Sequence, residues 1–313
     1  MNNHATWKAY WAATQFAIII GFTFFFVKIS LPYGHSFDIL AHRFSVSFLL
    51  LLAILLISRQ KVRLSLRDIV LILPVAIFYP SVFFSFQTFG LEFISTSEAG
   101  ILQAITPIAT VILSAIFLHE YSSKLQIGFL LLSVAGVIYI FVMKGVNVDI
   151  ADMKGAILVL ISALSSSAYH VMTRKLGTNY APQQLTFVMM LIGFVVFNGL
   201  ALGRHIINGS ILQYFEPLQS GTYLISIFYL GALASLYTSF LTIKILKTFK
   251  AAQLSVFSNI STLIAIIAGV VLLKEQLAYY HIIGGIAVLG GVIGMNMVAL
   301  RKNSTPSSIL IKD

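Results

Sequence analysis

The sequence predicts an all-α membrane protein in which ten transmembrane helices form two inverted five-helix repeats, with both termini in the cytoplasm. Three observations predict this fold class: the composition, ten long stretches without charged residues, and two segments that resemble each other at a constant offset. Of the 313 residues, 58% are apolar and 10% are charged, whereas a soluble domain carries about 25% charged residues. One soluble core could not bury so much apolar surface, so lipid must be part of the solvent.

Ten stretches of 15 residues or more contain no Asp, Glu, Lys or Arg, and we interpret each as a transmembrane helix. A helix needs roughly 20 residues to cross the hydrocarbon core, and nine of the ten reach at least 19. The second stretch is shorter only because Arg43 interrupts it, and it also spans when it is extended back to Phe37. The stretches are 9–27, 44–58, 69–91, 99–119, 125–143, 155–173, 176–203, 217–243, 251–273 and 276–300.

The orientation follows from the distribution of Lys and Arg, because cytoplasmic loops of membrane proteins carry an excess of both. With the N-terminus inside, 14 of the 20 basic residues lie in the cytoplasm, 5 lie outside, and Arg43 lies within a span. Both termini are therefore predicted to be cytoplasmic. The net charge of +10 is then a consequence of membrane topology, and no nucleic-acid partner is expected.

An internal repeat divides the ten spans into two halves. Leu118–Glu120 and Ala135–Ile138 match Leu273–Glu275 and Gly290–Ile293 at an offset of 155 residues. The first spans of the halves also correspond loosely, since a segment ending in Lys28 parallels one ending in Arg174; the segments are 21–28 and 167–174. The alternative is a chance similarity between two apolar helices that end in Glu.

Two similar halves with five spans each must cross the membrane in opposite senses, which makes the repeat inverted. Secondary transporters commonly have this architecture, with the substrate site near the midplane between the halves. The predicted units are residues 1–146 and 151–303, each a five-helix repeat, followed by a cytoplasmic tail at 304–313.

Several short features stand in a characteristic order along nearly the whole chain. They are Gly21 and Lys28 in the first span, Arg43-Phe44 in the second, 97–107 and Glu120 in the fourth, 126–128 opening the fifth, Glu275 ending the ninth, and 281–284 opening the tenth. In this order and spacing the sequence resembles the EamA family of the drug/metabolite transporter superfamily. The resemblance implies transport of small metabolites, often amino acids or drugs, and mostly outward.

The ninth span departs from the family pattern. Members often carry a proline there, at the position equivalent to Pro107, and this sequence has Thr262 instead. Any kink at this point must have another cause, such as Ser258 and Ser261 bonding back to backbone carbonyls.

Uncharged polar residues within the spans are the candidates for a substrate cavity. The predicted midplane contains no ionisable side chain, and a charge inside a bilayer is costly and usually functional. We therefore expect a neutral, zwitterionic or aromatic substrate, held by hydrogen bonds and ring stacking. The candidates are Gln103, Asn259, Ser258, Thr106, Tyr79 and Tyr237. The alternative for Gln103 and Asn259 is interhelical hydrogen bonding that only supports packing.

Five titratable residues near the span ends allow two interpretations. Arg43 is expected to extend toward the interface or to bind a helix C-terminus, with substrate-carboxylate binding as the alternative. Glu98 is expected to be solvated at the outer edge of the fourth span, and His170 to be interfacial in the sixth. Gating or proton coupling is the alternative for Glu98 and His170, and Arg43 is a third candidate for that role. Glu120 and Glu275 are expected to form structural contacts at opposite faces.

These observations predict a secondary transporter that works by alternating access and exports a small metabolite or drug, with import or exchange as the alternative. A membrane-embedded enzyme or a sensor is the rival class, but His119-Glu120 does not continue into a His-Glu-x-x-His motif. We expect no catalytic residues, no metal and no cofactor. The expected partners are a small-molecule substrate and membrane lipid. The protein is predicted to be a multi-pass component of the bacterial plasma membrane and a monomer, with a homodimer as the alternative.

Overall fold

The structure is a computed structural model that describes residues 3–59, 61–119, 123–144, 150–249 and 251–304. The described residues form helices joined by short connections, which we number in chain order. They are α1 (Asn3–Ser30), α2 (Ser36–Ile57), α3 (Leu66–Phe93), α4 (Thr96–Phe117), α5 (Lys124–Lys144), α6 (Ile150–Leu176), α7 (Pro182–Ile207), α8 (Gly221–Thr248), α9 (Ala251–Leu272) and α10 (Tyr279–Ser304). Two short 3-10 turns, Ile211–Tyr214 and Glu216–Gln219, connect α7 to α8.

Each of the ten uncharged stretches overlaps one of these helices. Seven helices are long and apolar enough to cross a membrane, judged by length and composition: α1, α2, α3, α4, α6, α7 and α8. In α5, α9 and α10 the described apolar segments are shorter: Lys124–Ile140, Ile260–Leu272 and Tyr279–Gly291. Large apolar side chains such as Leu66, which is 83% exposed, cover the outer surface, while many Ser and Thr side chains are buried. This distribution suits a protein whose surrounding solvent is lipid.

Local sequence explains where several helices begin. Ser65, Ser95 and Ser220 precede α3, α4 and α8, and each side chain accepts a hydrogen bond from a backbone N–H in the first helical turn. Such a cap satisfies a donor that has no partner within the helix. Ser65 and Ser220 are 155 residues apart, so the same cap opens the third helix of each half.

Helices α3 and α8 are distorted at equivalent positions. In α3 the π-helical segment Ile77–Val82 contains Tyr79, whose φ of −143° and ψ of 113° are extended. The residue before a proline is pushed out of the α region, and Tyr79 precedes Pro80. In α8 a π-helical segment, Tyr229–Tyr237, occupies the corresponding place without a proline.

The fourth helix of the first half is interrupted, whereas its counterpart in the second half is continuous. In α4 a helix ends at Gln103 and another begins at Thr106, followed by Pro107. Helix α9 runs without a break through Thr262. The hydroxyl of Thr262 donates to the carbonyl of Ser258 at 3.3 Å, and that of Ser261 donates to Phe257 at 3.4 Å. These bonds leave the helix intact, so the absence of proline removes the interruption.

The first helix of each half packs against the third and fourth helices of the other half. Helix α1 packs against α8 and α9, and α6 packs correspondingly against α3 and α4. Likewise, α2 packs against α8, and α7 packs against α3. Other main contacts join equivalent helices: α2 with α7, α4 with α9, and α5 with α10. Each of these contacts therefore has a counterpart in which the equivalent helices of the two halves are exchanged.

Helices α5 and α10 approach each other closely through glycines. A Cβ atom on Gly136 would lie 2.7 Å from the carbonyl oxygen of Gly284, and one on Gly291 would lie 2.5 Å from that of Phe129. The two contacts are related by the 155-residue offset. Gly290, the residue before Gly291, instead faces open space.

Candidate functional site

A small cavity lies where helices α1, α3, α4, α6, α8 and α9 meet, and we call it the central cavity. Its volume of about 40 Å³ leaves room for a few water molecules. Aromatic rings form part of its wall, and hydroxyl, amide and imidazole groups form the rest. The lining residues are Phe16, Ile20, Phe24, Tyr79, Phe83, Gln87, Gln103, Thr106, Ser166, Tyr169, His170, Thr242, Ser258, Ser261 and Thr262.

Ten of these lining residues stand at equivalent positions of the two halves. Three pairs are separated by 155 residues, the offset of the internal repeat, and two by 146, the offset between the matched first spans. The pairs are Gln87 with Thr242, Gln103 with Ser258, Thr106 with Ser261, Ile20 with Ser166, and Phe24 with His170. The central cavity is therefore lined by matched positions from both halves.

Two stacked tyrosines form the aromatic wall. The rings of Tyr79 and Tyr169 are 4.2 Å apart between centroids and inclined by 15°. The hydroxyl of Tyr79 lies against the hydroxyls of Thr238 and Ser239 on α8. Tyr79 occupies the break in α3, so the same local distortion that follows from Pro80 also places this ring in the wall.

The polar wall is centred on the interruption of α4. The Ser162 hydroxyl donates to Gln103 Oε1 at 3.1 Å, and the Thr106 hydroxyl donates to the Gln103 carbonyl at 2.7 Å. Gln103 thus both lines the cavity and bonds to a neighbouring helix, so the two interpretations of this residue are compatible. Gln87 Oε1 and His170 Nδ1 have no hydrogen-bond partner among the described residues, which leaves them available to a solute.

The structure brings together four of the six residues proposed for the cavity: Tyr79, Gln103, Thr106 and Ser258. The backbone of Asn259 belongs to α9, but its side chain lies outside the described residues. Tyr237 is not part of the cavity. Its side chain is 39% exposed, and its hydroxyl donates to Gln15 Oε1 at 2.7 Å. It ends the π-helical segment of α8 and faces outward, while Thr242 faces the cavity instead.

His170 was predicted to be interfacial, and this prediction is wrong. Its side chain is 3% exposed and lines the central cavity beside Tyr169. The reason is the position of α6, which packs against α3, α4, α8 and α9, so that even a residue near its end is covered. The interior therefore contains an ionisable side chain that the count of uncharged stretches did not reveal.

Glu98 was predicted to be solvated, but it is buried in the first turn of α4 and does not line the cavity. The connection between α9 and α10 covers this turn. There Glu275 accepts hydrogen bonds from the backbone N–H groups of Thr96 and Ser97 at 2.7 and 2.8 Å. The structural role predicted for Glu275 is thus a bond to a helix N-terminus, where a negative charge is stabilised. Glu120, its predicted counterpart, lies outside the described residues.

Two cations hold the ends of equivalent helices. Lys28 Nζ donates to the carbonyls of Leu91 and Ile94 at 2.7 and 2.9 Å. Arg174 Nη1 donates to the carbonyls of Leu246 and Phe249 at 3.2 and 2.6 Å, which lie 155 residues further along the chain. Each cation satisfies carbonyls at the end of α3 or α8 that have no partner within the helix. The sequence matched Lys28 with Arg174 but did not reveal this function.

Arg43 is fully buried, so the prediction that it extends to the interface or binds a helix C-terminus is wrong. Its Nε donates to the Ser235 hydroxyl at 2.7 Å, and its Cζ atom lies 3.8 Å from the centre of the Phe84 ring. Helix α2 is packed between α7 and α8. At Gly231 an added Cβ would lie 2.7 Å from the Arg43 carbonyl oxygen, so the close approach of α8 prevents access to water.

A second polar cluster joins the two halves at the end of the bundle where α2 begins. His205 Nε2 lies 3.0 Å from one carboxylate oxygen of Asp38, and Arg204 lies 3.7 Å from the other. Tyr214, in the turn after α7, packs against His205 with 5.8 Å between the ring centres. Burial, together with the charge of Asp38, raises the pKa of Tyr214 to about 12. This cluster is distinct from the central cavity and connects α2 to α7.

A larger groove of about 960 Å³ lies on the surface between α3, α4, α5 and α6. Its lining is almost entirely apolar, with side chains such as Ile112, Phe117 and Leu164 that are strongly exposed. A surface of this kind suits acyl chains better than a polar solute. Among the described residues, no group of three His, Asp or Glu side chains is arranged to hold a metal ion.

Comparison with known proteins identifies the family. Residues 7–142 and 153–297 each match the EamA-like transporter family. An uncharacterized transporter, YcxC of Bacillus subtilis (strain 168), is 45% identical over 306 residues, which cover 98% of each chain. An uncharacterized transporter of Archaeoglobus fulgidus is 25% identical over 273 residues, or 87% of this chain and 92% of the relative.

A solved crystal structure has the same fold. It superposes with a TM-score of 0.66 over 95% of this chain and 99% of that chain, at 20% sequence identity. The family matches cover both halves, and the helices of each half carry the apolar surface that a lipid environment requires. The chain therefore belongs to the EamA-like transporter family and is a multi-pass membrane transporter.

Proposed function

We propose that this transporter is a secondary carrier that works by alternating access and exports a small neutral, zwitterionic or aromatic metabolite or drug across the bacterial plasma membrane. The observation that carries the proposal is the central cavity, which is lined by equivalent positions of both halves. A site shared in this way can be opened to one side or the other when the halves move relative to each other. Export is proposed from the family resemblance.

The proposed topology has ten membrane-crossing helices in two inverted five-helix repeats, with both termini cytoplasmic. The exchange of helix contacts between the halves supports the repeat, and so do the two equivalent cations, Lys28 and Arg174. The excess of Lys and Arg on one side supports the orientation. In this orientation the cluster of Asp38 and His205 closes the outer end of the bundle, and we propose that it opens when the carrier faces outward.

The chemistry of the cavity supports the proposed substrate class. The tyrosine stack offers ring faces to an aromatic or apolar group, and Gln87, Gln103 and His170 offer hydrogen-bonding groups. A cavity of about 40 Å³ is far smaller than the roughly 300–1,000 Å³ of a typical ligand site. The lining side chains must therefore separate before a metabolite can bind, as alternating access requires.

The test is transport by the purified full-length protein in liposomes, using labelled amino acids and aromatic cations in both directions. We expect saturable flux of at least one solute, and its loss in Tyr79→Ala. The matched control is Tyr237→Ala, since that tyrosine lies on the surface, and it should retain flux. Flux from the cytoplasmic face alone would support export, and flux from the opposite face would favour import or exchange. If the folded protein moves no solute in either direction, the proposal is wrong.

A further inference from the structure

Arg43 places a positive charge inside the bundle that no described carboxylate neutralises. A guanidinium has five N–H donors, and among the described residues only the Nε–H has a partner, the hydroxyl of Ser235. Within the described part of the chain, Nη1 and Nη2 are buried without any hydrogen-bond partner. The face of Phe84 compensates for part of the desolvation, but it accepts no N–H bond in the plane of the guanidinium. A buried charge in this condition is costly unless a ligand completes it.

One aromatic layer separates this guanidinium from the central cavity. The Phe84 ring that covers Arg43 has its centre 4.8 Å from that of Tyr79 and 4.7 Å from that of Phe83. Tyr79 and Phe83 both line the cavity. Arg43 therefore lies directly behind the aromatic wall.

This wall lies beside the distorted segments of α3 and α8. Tyr79 occupies the break in α3, and Ser235, which holds Arg43, belongs to the π-helical segment of α8. Such segments lack the regular helical hydrogen bonds and are frequent at functional sites. Because Tyr79, Phe83 and Phe84 lie between the guanidinium and the cavity, displacement of this layer as the cavity expands would expose the two Nη groups at the cavity edge.

We propose that Arg43 binds the carboxylate of the transported solute, so that the substrates are amino acids or other organic acids with an aromatic or apolar side chain. This inference rests on the proposed transport function of the central cavity. The two Nη groups lie in one plane and can donate two parallel hydrogen bonds to the two oxygens of a carboxylate. A neutral amide in the same place could accept a hydrogen bond but would not neutralise the guanidinium, and a protonated amine would repel it, so the site discriminates against both.

The experiment compares solutes that differ only in the carboxylate. Full-length protein in liposomes is assayed with L-phenylalanine, L-phenylalaninamide and 3-phenylpropionate, and with L-leucine and L-leucinamide. We expect the carboxylates to be transported in preference to the amides. Arg43→Gln should reduce this preference by about tenfold or more, the size expected for a lost charge-assisted hydrogen bond. Arg43→Lys, which retains the charge but not the planar edge, should lie between the two.

Arg67→Gln is the matched control, because it removes the same charge from an exposed site on α3 and should leave the preference unchanged. Thermal stabilisation of the wild-type protein by phenylalanine but not by its amide provides a second measurement that needs no variant. If carboxylates and amides are transported equally, or if Arg43→Gln retains the preference, the inference is wrong and the transport function stands. Absence of flux for every solute would overturn both.

Discussion

The two halves of this transporter surround the central cavity with equivalent positions but with different side chains. The first half contributes Ile20 and Phe24 where the second contributes Ser166 and His170. Away from the cavity, two sets of contacts are the same in both halves. Lys28 and Arg174 bind equivalent carbonyls, and the glycine contacts between α5 and α10 are related by the repeat offset. Packing therefore keeps the scaffold similar in the two halves. The side chains that line the cavity differ between the halves, as a site for an asymmetric solute requires.

The largest expected effect is on the symmetric contact between α5 and α10. Gly136→Ala and Gly291→Ala each place a Cβ atom within 2.7 Å of a backbone oxygen, which cannot move as a side chain can. Each should destabilise the protein by about 1–3 kcal/mol, the usual cost of overpacking, and the two losses should be similar. Thermal unfolding of the purified protein measures this.

Gly290→Ala is the control for that measurement, since an added Cβ at Gly290 meets nothing within 4 Å. It should unfold at the wild-type temperature or slightly above it, because alanine favours a helix. If only one of the variants Gly136→Ala and Gly291→Ala strongly lowers the unfolding temperature, the contact between α5 and α10 is not symmetric.

Replacing either of the two cations that bind the terminal carbonyls of α3 and α8 should give an effect of similar size. Lys28→Met or Arg174→Met leaves two carbonyls without their donor, at an expected cost of about 1–3 kcal/mol for buried unsatisfied groups. The exposed Lys61→Met is the control and should stay within about 0.5 kcal/mol of wild type. Unfolding temperatures that fall in one variant and not in the other would contradict the equivalence of the two contacts.

A substitution inside the cavity should have the smallest effect on stability. Its main effect should be on transport. His170→Phe gives the second half the side chain that Phe24 provides in the first, and so makes the wall more symmetric. Transport should fall about tenfold, equivalent to about 1.4 kcal/mol, with little change in unfolding temperature. Phe24→Tyr, which keeps the ring, should retain more transport. Unchanged flux in His170→Phe would show that the polar character of this position is dispensable.

Much of the scaffold could be predicted from the sequence. Uncharged stretches indicate helices because a charge is expensive in lipid, and each stretch overlaps a helix of the structure. The offset of 155 residues predicted which positions would be equivalent, and it relates Gln103 to Ser258 in the cavity. Tyr169 and Gln87 were missed, although Gln87 carries the same signal as Gln103, a polar side chain within an apolar stretch.

The positions of single side chains were harder to predict, because depth along a helix does not reveal which face is covered. Tyr237 lies well within α8 and His170 lies near the end of α6, yet Tyr237 is on the surface and His170 lines the cavity. The π-helical segment of α8 and the central position of α6 decide the difference. Arg43 was expected to reach water, which only the close packing of α8 against α2 prevents.

The helices, the family of the chain and the pairing of positions between the halves could all be predicted from the sequence, because hydrophobicity and spacing are local properties. Only the tertiary structure decided which polar residues face the cavity, which carbonyls the cations bind, and that Arg43 has no described counter-charge. These depend on which helices meet and on how closely their backbones approach. Contacts between residues far apart in the chain control both, and no single stretch of sequence contains that information.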